Sequence, residues 1–297
     1  IIDIKPRQFH NIKKISIFSD NKKELINFND NNKDLFSLIE VSKFFKILYN
    51  SFKSNKFFKI KNIDEKKFSK TNYKENFDLV INCEKNNFIS KRYFSKKFQK
   101  DYNSIAYTSL LHHQKMKNIE AKQFFTKLGP LAFLPISSKI TSIVLSSYNS
   151  GSINEQKLKS FIFNFKGRIN IKKISKFEKA KLNFSLSRKY YYENILLFGD
   201  GLHQIHPLAG QGFNMTIRDL KILLNIFKNK INNGLALDSS CLKDFENSTK
   251  SKNLFFSEGI NFIQDFFKVK NILGEKQTNT LIKKFGKNYL INKFFIK

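Results

Sequence analysis

The chain has 297 residues, 54 Lys+Arg against 24 Asp+Glu, and a formal net charge of +30. Its 41% hydrophobic content is enough to bury a core, which excludes global disorder, and no run approaches the ~18 apolar residues of a spanning helix. The charge points first to nucleic acid, but only five of the cations are arginine (Arg7, Arg92, Arg168, Arg188, Arg218), so no nucleic-acid partner is expected.

Taken along the chain, strand and helix patterns alternate. Ile12 to Ser19 alternates apolar and polar residues, as a half-buried strand does. Leu35, Leu38, Phe45, Leu48 and Phe52 recur at helical spacing, which predicts a helix from Leu35 to Phe52. Phe77 to Ile81 reads as a short buried parallel strand. Cys83 follows it and reads as a small buried residue. Extended patterns cover Ser104 to Leu111, Gln123 to Ile136 and Thr141 to Tyr148, and the first of these runs into His112–His113, whose side chains point to opposite faces. Asn154 to Phe165 reads helical, Ile169 to Phe184 extended and Ile195 to Phe198 as another buried strand. Phe213, Ile217, Leu220, Leu224 and Phe227 form one stripe of a helix ending before Gly234, and everything after Ser239 looks helical. The class is mixed α/β with a sheet-rich middle and a helical C-terminal tail. Two widely separated cysteines, Cys83 and Cys241, argue against a disulfide scaffold.

Residues 195–219, ILLFGDGLHQIHPLAGQGFNMTIRD, stand out. Four of the 11 glycines (Gly199, Gly201, Gly210, Gly212) and one of the four prolines (Pro207) fall here. A buried strand ends at Gly199 and presents Asp200 at its carboxyl end, where ligands of open α/β sheets sit. A loop then leads into a helix whose first turn holds Gly210, Gln211 and Gly212. Its free N–H groups suit a phosphate or an electron-rich ring oxygen, and the carboxylate suits a sugar or ribityl hydroxyl. His203 and His206 lack a third suitable ligand nearby, so no metal is expected. Arg218 and Asp219 read as a solvated face or an intrahelical contact.

This block resembles the GD-motif region of FAD-dependent aromatic-ring monooxygenases, and most of all the ubiquinone-biosynthesis hydroxylases, whose usual form is GDAAHxxHPLAGQGLNxGxxD. Gly129 to Pro135, GPLAFLP, resembles the GPLALLP strand of their substrate domain. The resemblance implies that Gly199 and Asp200 bind the FAD ribityl chain, that Pro207 lies near the flavin's reactive face, and that Gly210, Gln211, Gly212, Phe213 and Asn214 meet the pyrimidine edge of the ring. His206, Leu131, Phe133 and Pro135 would line the substrate pocket. The implied chemistry is NAD(P)H- and O2-dependent hydroxylation of a polyprenylated phenol by FAD.

The implied fold is an FAD-binding Rossmann-like domain interleaved with a mixed β-sheet substrate domain: residues 33–90 and 193–235 for the former, 1–32 and 91–192 for the latter, and 236–297 as C-terminal helices. The family opens with a strand–GxGxxG–helix unit, and no GxGxxG occurs in these residues, so a first βαβ unit is expected to be missing before Ile1. The family's GADGxxSxVR motif corresponds to Asn82 to Lys91, where Glu84 keeps a carboxylate but Lys85 and Phe88 replace the glycine and serine. That departure leaves open a catalytically impaired subunit that scaffolds a quinone-biosynthesis complex with other proteins of the pathway. Charge alone leaves a third reading, a binder of nucleic acid or anionic membrane. The expected location is cytoplasmic, peripheral to the inner membrane. Either the lysine-rich surface or the Phe-rich stretches Asn253 to Phe267 and Tyr289 to Ile296 would meet anionic lipid.

Overall fold

The computed structural model describes residues 8–30, 33–62, 76–148, 151–206 and 211–273. The chain divides into two compact units, one of residues 1–60, 103–181 and 267–297, the other of 61–102 and 182–266. Residues 33–60 thus fall with the first unit, whereas the sequence reading grouped them with 193–235.

In the first unit, β1 (His10–Ile12) pairs antiparallel with β4 (Phe36–Leu38). The helix expected from Leu35 therefore begins later, as α1 (Val41–Phe52). The apolar spacing at Leu35 and Leu38 fits either structure, and pairing with β1 decides it, with Leu35 N–H also donating to the Ile12 carbonyl at 2.8 Å. β2 (Lys14–Ser19) pairs antiparallel with β3 (Glu24–Asn29) and parallel with β7 (Glu120–Thr126). From β7 the sheet continues through β8 (Gly129–Ser137) and β9 (Ile140–Ser147) to β6 (Lys97–His113), all antiparallel. β10 (Ile171–Ile174) joins the other side of β6 through a bulge.

Period-2 alternation puts Leu131, Phe133 and Pro135 of β8 on one buried face. Opposite Leu131 and Phe133 on β9 stand Leu145 and Ile143. Leu158, Ile162 and Phe165 complete this core from α3 (Glu155–Phe165), whose first turn is capped by Asn154 accepting from Gln156 N–H at 2.8 Å. Each such side chain contributes about 1.5–3 kcal/mol on burial. Gly129 starts β8 at φ +135°, and a Cβ there would lie 1.9 Å from the Ser146 carbonyl oxygen, so no other residue can open this strand without moving its neighbour.

In the second unit, β5 (Val80–Asn82) runs parallel to β13 (Ile195–Leu197), and β13 pairs antiparallel with β12 (Tyr191–Tyr192). The parallel pairing matches expectation, but Ile81 is exposed, since only one neighbouring strand covers β5 among the described residues. α2 (Phe88–Tyr93) follows, capped by Asn87. β11 (Glu178–Ser187) pairs near its end with β14 (His203–Gln204). Two long helices close the unit, α4 (Gln211–Asn232) and α5 (Ser239–Leu273). Gly234 follows α4 at φ +66°. The buried face of α4 is Gln211, Met215, Asp219 and Leu223. The stripe expected to face a core points the other way, with Phe213, Ile217, Leu220 and Leu224 all exposed. Hydrophobicity could not find the inner face because half of it is polar.

Candidate functional site

The geometry of the second unit is organised around a short turn. β13 is fully buried, and after Phe198 the chain makes one turn of 3₁₀ helix over Gly199–Gly201, with Gly199 at φ +56°. Phe198 N–H donates to the Asn82 carbonyl at 2.8 Å and Gly201 N–H to the Cys83 carbonyl at 3.0 Å. The two motif segments noted in the sequence, GD at 199–200 and the stretch starting at Asn82, are therefore fastened to each other. The approach is close: a Cβ on Gly201 would sit 2.9 Å from Leu197 Cδ1 and 3.3 Å from the Asn82 oxygen.

Asp200 projects from this turn. It is exposed, and its carboxylate makes no hydrogen bond or ion pair among the described residues. Cys83, expected to be buried, is exposed because it lies in the turn just beyond β5. Desolvation around its sulfur, then the negative charges of Asp200 and Glu84, push its thiol above the ordinary range.

The altered motif is held by side chains. The buried Asn82 amide donates to Ser90 Oγ at 2.8 Å and accepts from Asn87 Nδ2 at 2.7 Å, and Ser90 Oγ donates to the Glu84 carbonyl. Lys85, which the resemblance sets against a glycine, donates to Gln204 Oε1 at 3.2 Å.

The start of α4 lies beside the turn. A Cβ on Gly199 would approach Thr216 Cγ2 at 3.8 Å, and one on Gly212 would approach Ile205 Cγ1 at 3.6 Å. Gln211 is buried, while Phe213 and Asn214 are exposed. Pro207 and Gly210 lie outside the described residues. The first N–H groups of a helix have no acceptor within it. An exposed carboxylate on a turn of glycines beside the first described residues of α4 suits a molecule with vicinal hydroxyls and an electron-rich ring edge. This arrangement fits the ribityl and isoalloxazine parts of FAD. A pyrophosphate site of GxGxxG type has no counterpart in these residues.

His206 is buried, with its ring edge-on to Tyr102 at 5.2 Å. Tyr102 hydroxyl donates to Asn261, and burial first, then the Asp265 and Glu258 charges, push its phenol strongly up. Leu131 and Phe133 belong to the first unit, where they are core residues at 0% and 2% exposure.

The sequence reading missed one cluster. Asp219 is fully buried and accepts from His203 Nε2 at 3.1 Å and Asn253 Nδ2 at 2.9 Å, with Arg218 Nη2 at 3.3 Å. Arg218 also donates to Asn253 Oδ1. The expected solvated or intrahelical role for Asp219 is thus corrected: besides its contact to Arg218, it is a buried acceptor for two other elements. The signal lay in the GD block itself, which contains His203 and ends on Asp219. Among the described residues no three His, Cys, Asp or Glu side chains gather as a metal site.

Residues 161–239 match the family model of an FAD binding domain. The chain is 25% identical over 195 residues to the ubiquinone biosynthesis monooxygenase COQ6, mitochondrial, of Dictyostelium discoideum, covering 64% of this chain and 37% of that protein. It is 29% identical over 153 residues to the 3-demethoxyubiquinol 3-hydroxylase of Escherichia coli (strain K12), covering 46% and 37%.

The chain is thus similar over part of its length to an FAD binding domain and to two enzymes of ubiquinone biosynthesis. It spans half or less of the length of the curated relatives described here. The fold agrees: p-nitrophenol 4-monooxygenase PnpA from Pseudomonas putida superposes with a TM-score of 0.71 at 9% identity, over 97% of this chain and 83% of that one. HpxO of Klebsiella pneumoniae, solved with FAD and uric acid, superposes with a TM-score of 0.66 at 9% identity, over 97% and 81%. The expected mixed α/β class is the fold of these two proteins, the second of which was solved with FAD.

Proposed function

We propose that this chain forms part of an FAD-dependent monooxygenase that hydroxylates a polyprenylated aromatic ring in ubiquinone biosynthesis, using NAD(P)H and O2. The observation that carries the reading is the exposed Asp200 carboxylate on a glycine turn beside α4, within the region that matches an FAD binding domain. When bound, FAD supplies the redox chemistry that activates O2 for transfer to the ring. The protein's share is binding and orientation. Asp200 accepts hydrogen bonds from the ribityl hydroxyls. Gly199 and Gly201 let the backbone approach without a Cβ in the way. The N–H groups of Gln211 to Asn214 stabilise negative charge on the pyrimidine edge, as a helix start and an oxyanion hole do.

In the protein, Asp200→Ala should raise the FAD dissociation constant by about tenfold or more, the value of a hydrogen bond to a charged group. Fluorescence titration of the flavin measures it, and unchanged binding would remove the central assignment.

A second reading, a flavin-fold subunit that scaffolds a quinone-biosynthesis complex, is favoured by Lys85 and its bond to Gln204 in place of the family's glycine. NAD(P)H oxidation by the flavin-loaded protein separates the two, since a scaffold shows none. Peripheral attachment to an anionic membrane rests on the exposed Phe255 of α5 and its neighbours Lys250 and Lys252. No helix among the described residues is long and apolar enough to cross a membrane.

A further inference from the structure

The geometry points to His203 and Asp219 as positioning residues: their buried hydrogen bond clamps the Gly199–Gly201 turn to α4 and so fixes the Asp200 carboxylate relative to the helix start. The inference rests on the flavin reading above and extends it to two residues that would not touch the flavin.

The turn that carries Asp200 is anchored on both sides. On the N-terminal side, Phe198 and Gly201 bond to the carbonyls of Asn82 and Cys83. On the C-terminal side the chain passes into β14, where His203 pairs with Leu186 of β11, and Ser187 N–H donates to the Leu202 carbonyl at 2.9 Å. These bonds fix the turn against strands. The His203 ring is what ties it to the helix: Nε2 meets Asp219 Oδ2 at 3.1 Å, with both side chains 1% exposed. A carboxylate oxygen is an acceptor, and the imidazole tautomer with hydrogen on Nε2 is the one that completes this bond.

Asp219 is two turns into α4 from Gln211 and faces inward with it and Met215. A displacement of the helix along its axis would break the bond, so the bond sets the axial position of the helix start against the turn. Asn253 donates to the same Oδ2 and connects it to α5, while Arg218 meets the other oxygen, Oδ1, at 3.3 Å.

Stability alone gives little reason for such a network. Burying a carboxylate costs several kcal/mol, which its partners must offset, and apolar side chains of similar volume are often as good or better. What a directional polar network adds over a greasy one is a unique geometry. A site that aims a carboxylate and a set of N–H donors at the same ligand needs that, because small misplacements weaken both.

Three variants of the protein test this, with FAD affinity read by fluorescence. In parallel, hydrogen exchange at the Gly201 and Leu202 amides is read in the apo protein. His203→Leu should raise the FAD dissociation constant and the local exchange rate each by about tenfold, with amides of α3 unchanged. His203→Gln, whose amide can still donate to Asp219, should recover both to within about threefold, a rescue that bulk packing would not produce. Asp219→Asn should weaken FAD by about three- to tenfold, since it keeps an acceptor but loses the charge.

Binding in His203→Leu within about twofold of wild type would overturn the proposal, as would Gln doing no better than Leu. Should the Leu variant fail to fold, wild-type affinity in Asp219→Asn overturns it instead. Asp200→Ala in the same assay separates the two claims. If it has no effect, the flavin reading fails and exchange at Gly201 still tests the clamp. If it weakens FAD and His203→Leu does not, the clamp alone fails.

Discussion

In the first unit, Leu131, Phe133, Ile143 and Leu145 meet Leu158, Ile162 and Phe165 through carbon alone, and the strands beneath them alternate in register. In the second, the inner face of α4 alternates Met215 and Leu223 with Gln211 and Asp219, and the carboxylate is matched donor by donor. Both interiors exclude water. The apolar one tolerates repacking, since dispersion and burial have no direction. The polar one does not, since each bond has a fixed length and angle and a lost partner leaves a buried charge exposed to nothing. A sheet core of the first kind suits a scaffold. The second kind suits a region whose backbone must be held in one place around a ligand.

The largest effect should come from the apolar side. Phe124 stacks on Phe18 at 4.8 Å between ring centroids and meets Phe133 and Phe165 edge-on or tilted. Phe124→Ala should cost about 3–5 kcal/mol by urea unfolding, the loss expected for a large ring and the cavity it leaves. A cost below about 1 kcal/mol would mean that this core can collapse around the gap, and the contrast with the polar interior would then lose its apolar pole.

On the polar side the expected loss is smaller but of a different kind. Asn253→Ala removes the 2.9 Å donor to Asp219 and the acceptor of Arg218 while taking away few carbon contacts. About 1–3 kcal/mol should follow, measured by the same unfolding experiment, because a buried charge is left short of a donor. No loss would show that Arg218 or water replaces the amide at no cost, which would place this interior closer to a solvated one.

The difference between the regions also decides what could be read from the sequence. Extended structure over Gln123 to Ile136 and Thr141 to Tyr148 was legible, although the first is two strands, β7 and β8, parted at residues 127–128, and the helix from Asn154 to Phe165 was legible as well. The glycines of the GD block were legible because the chain is poor in glycine elsewhere. On α4 the sequence pattern points to the exposed face, because Phe213, Ile217, Leu220 and Leu224 form the greasier stripe, while the inner face owes its burial to partners far along the chain. Asp219 finds His203 16 residues away and Asn253 34 residues away, separations that no local periodicity encodes. The start of α1 was misplaced for a similar reason, since β1 lies more than 20 residues earlier and claims Phe36–Leu38.

The smallest effect should separate a buried carboxylate from a half-exposed one. Glu120 on β7 accepts from Ser16 Oγ at 2.6 Å and pairs with Lys14 at 3.2 Å and Lys122 at 3.5 Å. Burial pushes its carboxyl up, but the Ser16 bond and the two lysines outweigh this and hold it below the ordinary 4.5. A carboxyl whose folded value is depressed contributes stability that is present above 4.5 and lost as pH falls through the folded value. Solvent reaches the group, so Glu120→Gln should cost no more than about 0.5 kcal/mol near neutral pH. The gap between wild type and variant should close as the pH drops well below 4.5, and it should shrink in high salt because the lysine attraction is screened. Urea unfolding of the pair at neutral and acid pH checks the sign. A gap that widened on acidification would mean that desolvation, not the Ser16 bond and the lysines, governs this carboxyl. Glu120 would then behave as a buried charge, the condition that sets Asp219 apart from it.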